Sequence, residues 1–370
     1  MKITDIEISN FRNIKTLKTK LSQSVNVILG KNAQGKTNLL ESIYFFTGCK
    51  SFRANKDSEL INFESDEAKV SLYFYAYNRQ NVFEVNLYRD KKRRVLLNGV
   101  EIKKASEIAG IINTVLFAPE HLNLIKEGPR ERRKFLDIAI SQLKPKYVKA
   151  LDDYNKILVQ KNALLKDILK YPSLEDTLDI WNDRLANAGA YITFMRDGYI
   201  SKLSEICKNN HEEISKGKEI LDIKYMGFSK NLGFNNVKDY KDLLIEEIKK
   251  KKADEIRCGL SIVGPHRDDV DILINGKAAR LYASQGQQRS AVLSIKIAEA
   301  DIVYSANGEQ PVILLDDIFS ELDRSRQNYI LKKIKDKQVV ITSCDKGKYK
   351  SLPDAAFFNM HEGCLTQIGV

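Results

Sequence analysis

Eight consecutive residues restrict what this chain can become more than the rest of it together. Gly30-Lys31-Asn32-Ala33-Gln34-Gly35-Lys36-Thr37 meets the pattern G-x-x-x-x-G-K-[ST] at every specified position. The glycines let backbone N–H groups turn inward around a chain of phosphates. Lys36 brings a cation to the β and γ oxygens, and the Thr37 hydroxyl suits Mg²⁺. The flanks agree. Val25–Leu29, apolar except for Asn26, reads as a buried strand entering the loop. Thr37 to Phe46 reads as a helix leaving it, with Leu39, Leu40, Ile43 and Phe46 at helical spacing. The stretch predicts binding of a nucleoside triphosphate.

Size and charge bound what surrounds the loop. A chain of 370 residues, 43% hydrophobic, has room for two domains, or for one with a large insertion. A net charge of +11 favours a polyanionic partner, either nucleic acid or an anionic membrane surface. No apolar run approaches the ~18 residues of a membrane span. Met1 to Glu7 alternates like a strand and lacks the apolar centre of a signal peptide. The five cysteines are odd in number and scattered, which suits reduced thiols in a cytosol and offers no zinc spacing.

Strand patterns dominate the first third. Residues 2–9 and 25–29 read as two strands joined through Asn10-Phe11-Arg12-Asn13. A polar, basic loop, residues 47–53, follows the first helix. Val70 to Tyr77 and Val82 to Tyr88 flank Asn78-Arg79-Gln80-Asn81 as a hairpin, and Val95-Leu96-Leu97-Asn98-Gly99 announces another. From about Pro119 the period becomes helical. Leu151 to Leu169 and Leu174 to Cys207 keep apolar residues three to four apart, with a break at Tyr171-Pro172-Ser173. Two such helices should lie antiparallel as an arm. Residues 208–252 read as mixed polar loop and helix. Strand patterning returns near Leu260, with an Asn-Gly hairpin at 271–277. The expected organisation is therefore a split nucleotide-binding domain, 1–120 with 255–370, carrying an inserted helical domain, 121–254.

Pro311 to Asp317 is an apolar strand ending in two carboxylates. Beside a phosphate loop, Asp316 is placed to hold Mg²⁺ through its water shell and Asp317 to polarise an attacking water. The 280 positions between Lys36 and Asp316 are more than a compact kinase or GTPase carries. Ser284-Gln285-Gly286-Gln287-Gln288 precedes a helical run from Arg289 to Ile302, and a Ser and Gly at a helix start form an anion site. Ser320-Glu321-Leu322-Asp323 follows the acidic strand directly.

Phosphate loop, Ser-x-Gly-Gln, acidic strand and Ser-Glu-Leu-Asp, in that order, resemble the ABC-type ATPases that act on DNA, the structural-maintenance and Rad-fifty-like class. Within it the chain resembles the bacterial recombination mediators, the RecF family, over nearly its whole length. Asn10 to Asn13, Gly30 to Asn38, Phe117 to Leu122, Gly128 to Asp137, Gly264 to Asp269, Ser284 to Arg289, Leu314 to Asp323 and Val339 to Ser343 carry that likeness. The resemblance implies an α/β fold: an ABC-type P-loop ATPase head with an antiparallel β lobe, plus an inserted helical arm. It implies ATP and Mg²⁺ as cofactors, with Arg12, Asn13 and Asn38 joining Gly30 to Thr37 at the nucleotide. It implies an ATP-dependent homodimer in which Ser284, Gln285, Gly286 and Gln287 of one head meet the γ-phosphate held by Lys36 and Thr37 of the other. Ser320 and Asp323 would lie at that junction, and Thr342 would sense the γ-phosphate. The family binds double-stranded DNA, gap junctions among its forms, and works in the cytoplasm with RecR and RecO. It helps load RecA at gapped DNA, and takes part in replication and the SOS response.

Three positions depart from these relatives. Asp317 stands where transporter-type relatives carry glutamate, so slow turnover is expected, and the resemblance implies a weak, DNA-dependent ATPase. Thr342-Ser343 stands where many relatives carry histidine, and Thr342 offers only a neutral hydrogen bond. Phe52 replaces an expected histidine, so no family role is carried over to that loop. His266, beside Asp268 and Asp269, reads as loop-stabilising rather than catalytic. The candidates for DNA contact are Arg53, Lys91, Lys92, Arg93, Arg94, Arg130, Arg132 and Arg133. No helix-turn-helix or finger pattern is present, so binding should be sequence-independent and salt-sensitive. The rival readings are a transporter ATPase subunit and a small-molecule P-loop kinase.

Overall fold

The computed structural model describes residues 1–48, 50–229, 232–345, 349 and 354–368. The chain divides into two compact units, Met1–Leu122 with Val292–Val370, and Asn123–Ala291.

The first unit holds two six-stranded sheets. In one, Thr114–Phe117, Val312–Asp316, Val339–Ser343, Val25–Leu29 and Ala356–His361 run parallel, side by side in that order. Cys364–Ile368 closes the far edge antiparallel. The first four of these are buried at every position. Strands covered on both faces read as unbroken apolar runs, which is why they lack alternation.

The other sheet is antiparallel, in the order Ile14–Lys20, Lys2–Phe11, Glu67–Ala76, Arg79–Tyr88, Arg94–Leu97, Val100–Ile102. Its turns follow local chemistry. Tyr77 and Asn78 have φ 48° and 60°, and Asn98 and Gly99 have 52° and 80°, the positive pair a type I′ hairpin needs. Ala76 pairs directly with Arg79, so the first loop is two residues rather than the four expected at 78–81. Asn10 to Asn13 is likewise a hairpin turn, with Phe11 opposite Ile14, and leads into a strand, Ile14–Lys20, that the sequence reading passed over as connection. Gln338 ties the two sheets. Its buried amide accepts from Ile3 N at 2.6 Å and donates to Ile3 O at 2.6 Å and Ser22 O at 2.8 Å.

In the second unit, Pro129–Leu143 and Pro145–Ile168 each open on proline, whose missing N–H a first helical turn does not use. Pro145–Ile168 and Leu178–Ser215 form the expected antiparallel hairpin around the break at Pro172. Early residues of one meet late residues of the other: Tyr147 hydroxyl lies 3.0 Å from Arg196 Nε, while Leu165 and Ile168 cluster with Leu178. Residues 255–291 remain with this unit, so the chain returns to the first unit at Val292 rather than near 255. The physical reason is a strand inside 208–252. Leu221–Met226 pairs with Asp269–Ile274 along its whole length, Leu221 opposite Ile274 and Met226 opposite Asp269.

A buried ionic network fastens the Gly264 to Asp269 loop to these helices. Arg196 donates to Asp137 Oδ1 at 2.8 Å and to Pro265 O at 2.7 Å, and lies 3.7 Å from Asp268 Oδ2. Tyr225 donates to the same Asp268 oxygen. Burial pushes the Asp268 carboxyl up to about 6. Lys161 and Glu255, both fully buried, pair at 2.7 Å, and Glu255 also accepts from Ser261 Oγ and Ile262 N at 2.9 Å each.

His266 sits in the same loop. Its Nε2 lies 3.0 Å from Ser261 O, to which it donates, and its Nδ1 lies 2.6 Å from the Tyr154 hydroxyl, from which the neutral imidazole accepts. Burial holds its pKa down at about 4. The folded chain therefore stays neutral there while the unfolded chain binds a proton below its ordinary pKa of 6.5. This contribution is complete above pH 6.5 and is lost as pH falls towards 4, on the order of 3 kcal/mol over the window. His266→Asn is expected to destabilise the protein in urea at pH 7.5, with a penalty that shrinks at pH 5. A penalty equal at both pH values would assign the histidine no linked role.

Candidate functional site

The phosphate loop leaves the centre of the parallel sheet and enters the helix Lys36–Tyr44. Gly35 has φ 109°, and a Cβ there would sit 2.8 Å from Asn13 Oδ1. A Cβ on Gly30 would strike the Met360 carbonyl. Glycine is thus required at both specified positions, by backbone conformation and by close approach alike. Lys36 is buried, and its ammonium donates to Gly30 O at 2.7 Å and Lys31 O at 2.8 Å, with Cys344 Sγ at 3.4 Å. A triphosphate chain offers the same ammonium better acceptors.

Parallel pairing sets the acid beside the loop. Val339–Ser343 lies between the loop strand and Val312–Asp316, with Thr342 opposite both Ile28 and Asp316. Thr37 Oγ1 donates to Asp316 Oδ1 at 3.0 Å, and Thr342 Oγ1 donates to the same oxygen at 2.7 Å. Asp317 N donates to Thr342 Oγ1 at 3.0 Å. Burial raises the Asp316 pKa; the two threonine hydroxyls oppose that shift, while the charges of Glu120 and Asp317 reinforce it. A buried carboxylate that, among the described residues, accepts only from hydroxyls and has further acids nearby is short of positive charge. One carboxylate and one hydroxyl beside a phosphate site is the protein's usual share of a Mg²⁺ shell, so Asp316 and Thr37 fit that ion. Asp317 takes φ 47° at the strand end.

The remaining expected residues are placed as follows. Asn38 Nδ2 donates to Asn13 Oδ1 at 2.8 Å, and Arg53 reaches Asn38 Oδ1 at 3.2 Å. Arg12 makes a two-pronged pair with buried Glu41, at 3.0 and 2.9 Å, and Ser51 donates to the same carboxylate. Phe52 packs edge-on against Tyr44. Ser320 Oγ donates to Asp317 O at 2.6 Å. Asp323 caps the helix Arg324–Lys333 by accepting from Arg326 N at 3.0 Å, which lowers its pKa. In the second unit, Ser284 N donates to Gln287 Oε1 at 2.8 Å and Ser284 Oγ accepts from Gln287 N at 3.3 Å. That reciprocal capping box opens the helix Gln285–Asn307. Ser284 and Gln285 are exposed, and Gln287 Nε2 donates to Glu219.

Among the DNA candidates, Lys91 lies over the Tyr88 ring, Arg93 pairs with Asp57 at 3.1 Å and Arg94 lies 3.7 Å from Glu101; Lys92 and Arg130 are exposed. Arg133 donates to Asp268 O at 2.7 Å. Arg132 is buried, paired at 2.6 and 2.9 Å with Asp269, and bonded to Leu124 O and Glu127 O, so four of its five N–H groups brace its own loop.

Sequence reasoning gave no role to Glu41, Glu120 or Cys344. Glu41 carried one usable signal: an acid on the helix after a phosphate loop is buried only if a cation meets it. Glu120 and Cys344 are brought in by strand order, which the sequence does not print.

The model of the RecF/RecN/SMC N terminal domain matches residues 2–365. A DNA replication and repair protein RecF from Lachnoclostridium phytofermentans is 40% identical over 342 residues, 92% of each chain. One from Clostridioides difficile is 38% identical over 370 residues, 100% of this chain and 99% of that one. A solved structure of the recombination mediator protein RecF-ATPrS in the RecFOR pathway superposes with TM-score 0.92 at 37% identity, covering 99% of this chain and 98% of the other. An Smc head bound to the C-winged helix domain of ScpA, at 17% identity and TM-score 0.57, shares the fold.

Proposed function

The chain belongs to the RecF family of DNA replication and repair proteins, and from that membership we propose an ATP-driven clamp for double-stranded DNA. The observation that carries this reading is the constellation of buried Lys36, Asp316 and Thr342 with half-buried Thr37 at the C-terminal ends of the central parallel strands. The first unit serves as the ATPase head and the second as the arm. Lys36 and the loop N–H groups hold the β- and γ-phosphates, with Arg12, Asn13 and Asn38 at the rim. Asp316 and Thr37 hold Mg²⁺, which neutralises charge on the phosphates. Asp317 orients the attacking water, and Thr342 fixes the Asp316 oxygen and the Asp317 N–H.

The capped Ser284 and Gly286 act in trans on the triphosphate of a second copy, with Ser320 and Asp323 at the junction. ATP closes the pair and slow, DNA-stimulated hydrolysis opens it. Cationic Arg53, Lys91, Lys92, Arg93, Arg94, Arg130 and Arg133 make sequence-independent contact with duplex DNA in the cytoplasm. RecR is the partner that joins this clamp to RecA loading at gaps. A kinase has no use for an exposed serine cap acting across a dimer.

The test is light scattering with and without Mg²⁺-ATP, on wild type and Ser284→Arg, with duplex binding followed at two salt concentrations. ATP should double the wild-type mass and tighten DNA binding, and the binding should weaken at least roughly tenfold between 50 and 200 mM salt. Ser284→Arg should keep ATP and lose both effects. A chain that stays monomeric in ATP would overturn the clamp.

A further inference from the structure

The phosphate loop is braced from a part of the chain more than three hundred residues away. Gly363 N donates to Gln34 O at 3.0 Å, and Glu362 N donates to Gln34 Oε1 at 2.8 Å, across a separation of 328 positions. Both donors lie in the turn between Ala356–His361 and Cys364–Ile368. Pairing delivers that turn to the loop. Ala356–His361 runs parallel to the loop strand, Phe358 opposite Ile28 and Asn359 opposite Leu29. It reaches the loop at Met360, whose carbonyl lies where a Gly30 Cβ would be. Gly363 has φ 77°, and a Cβ there would collide with the Asn13 carbonyl. Asn13 in turn lies against Gly35 and bonds Asn38. Three turns are therefore stacked: the phosphate loop, the Asn10 to Asn13 turn and the Glu362-Gly363 turn.

The sequence motif leaves Gln34 unspecified, yet this residue is held through both its backbone and its side chain. We infer that the Glu362-Gly363 turn is a positioning device for nucleotide binding, clamping Gln34 so that the loop N–H groups already converge before a triphosphate arrives. Gln34 and Gly363 are its positioning residues, and Asn13 is the surface on which they close. A loop held in its bound conformation loses less freedom on binding, so the clamp acts on affinity. It acts on the phosphates and not on the base, so ATP and ADP gain from it alike. This inference rests on the reading of the loop as an ATP site.

The full chain tests it. ATP and ADP affinities would be measured by titration calorimetry on wild type, Gln34→Ala, Gly363→Ala and the double variant, with thermal melting of each without nucleotide. Gln34→Ala removes one of the two bonds and should weaken ATP and ADP by the same factor, three- to tenfold, with an unchanged melting temperature. Gly363→Ala should weaken both at least tenfold. The double variant should be no weaker than Gly363→Ala, because both act through one brace. Gln34→Ala binding both nucleotides as wild type does would overturn the inference while leaving the ATP site intact. Fully additive losses in the double variant would also overturn it. A wild type that binds neither nucleotide would overturn the ATP reading first, and the brace with it.

Discussion

Lys36→Ala is expected to remove ATP binding and keep the fold. Its ammonium is buried among Gly30 O, Lys31 O and Cys344 Sγ, where a triphosphate would be met by no other cation from the loop's own side chains except exposed Lys31. Truncating one partner of a buried, hydrogen-bonded charge pair removes about 2–5 kcal/mol, or roughly 30-fold to several thousand-fold in affinity. The fold should survive, because Lys31 is exposed and Gly30 only half-buried, so water can reach the two carbonyls that the ammonium leaves. Calorimetric titration with ATP, beside a melting curve, is the measurement. A variant that binds within threefold of wild type would mean that the loop's N–H groups carry the phosphates alone.

Arg196→Met should be the most damaging substitution in the second unit. Among the described residues, it leaves Asp137 with one hydroxyl partner, Tyr147, and leaves Asp268, whose Oδ1 already has no bonding partner, without a cation on its other oxygen. Breaking a buried pair from one side removes about 3–5 kcal/mol. The sign with pH follows from Asp268. Its folded pKa of about 6 lies above its ordinary 3.8, so its ionisation opposes folding fully above pH 6 and progressively less as pH falls towards 3.8. Without Arg196 that pKa rises further. The gap in urea stability between variant and wild type should therefore be widest at pH 7.5 and narrow at pH 5, and Asp268→Asn added to the variant should recover part of it. A gap that widens in acid would exclude the Asp268 account.

How much of this was legible in the sequence depended on range. The phosphate loop, its flanking strand and helix, and the Asn-Gly turns at 98–99 and 275–276 are short-range features, written in consecutive residues. The acidic strand was legible because burial on both faces makes an unbroken apolar run. Leu221–Met226 was missed although its alternation of Leu221, Ile223 and Tyr225 with Asp222 and Lys224 was there to be read. Its polar setting hid it, and with it the tie that holds 255–291 in the second unit. The Asp269 partner of Arg132 was not legible, because a run of arginines looks the same whether it faces solvent or a carboxylate. What pairs with what across the parallel sheet, and so the approach of Glu120, Cys344 and Gly363 to the loop, was not legible at all.

The interleaved parallel sheet sets an order of events on the ribosome. Asn26, on the loop strand, bonds Val339 O, 313 positions later. At about 5–20 residues per second the loop strand waits some tens of seconds for its neighbour. The second unit, by contrast, is one uninterrupted stretch, Asn123–Ala291, and can close on itself meanwhile. The nascent chain would therefore display a finished arm while its strand Val25–Leu29 is still exposed apolar surface for chaperones. Nucleotide capture would become a property of the late chain, so ATP cannot act on a partly made molecule.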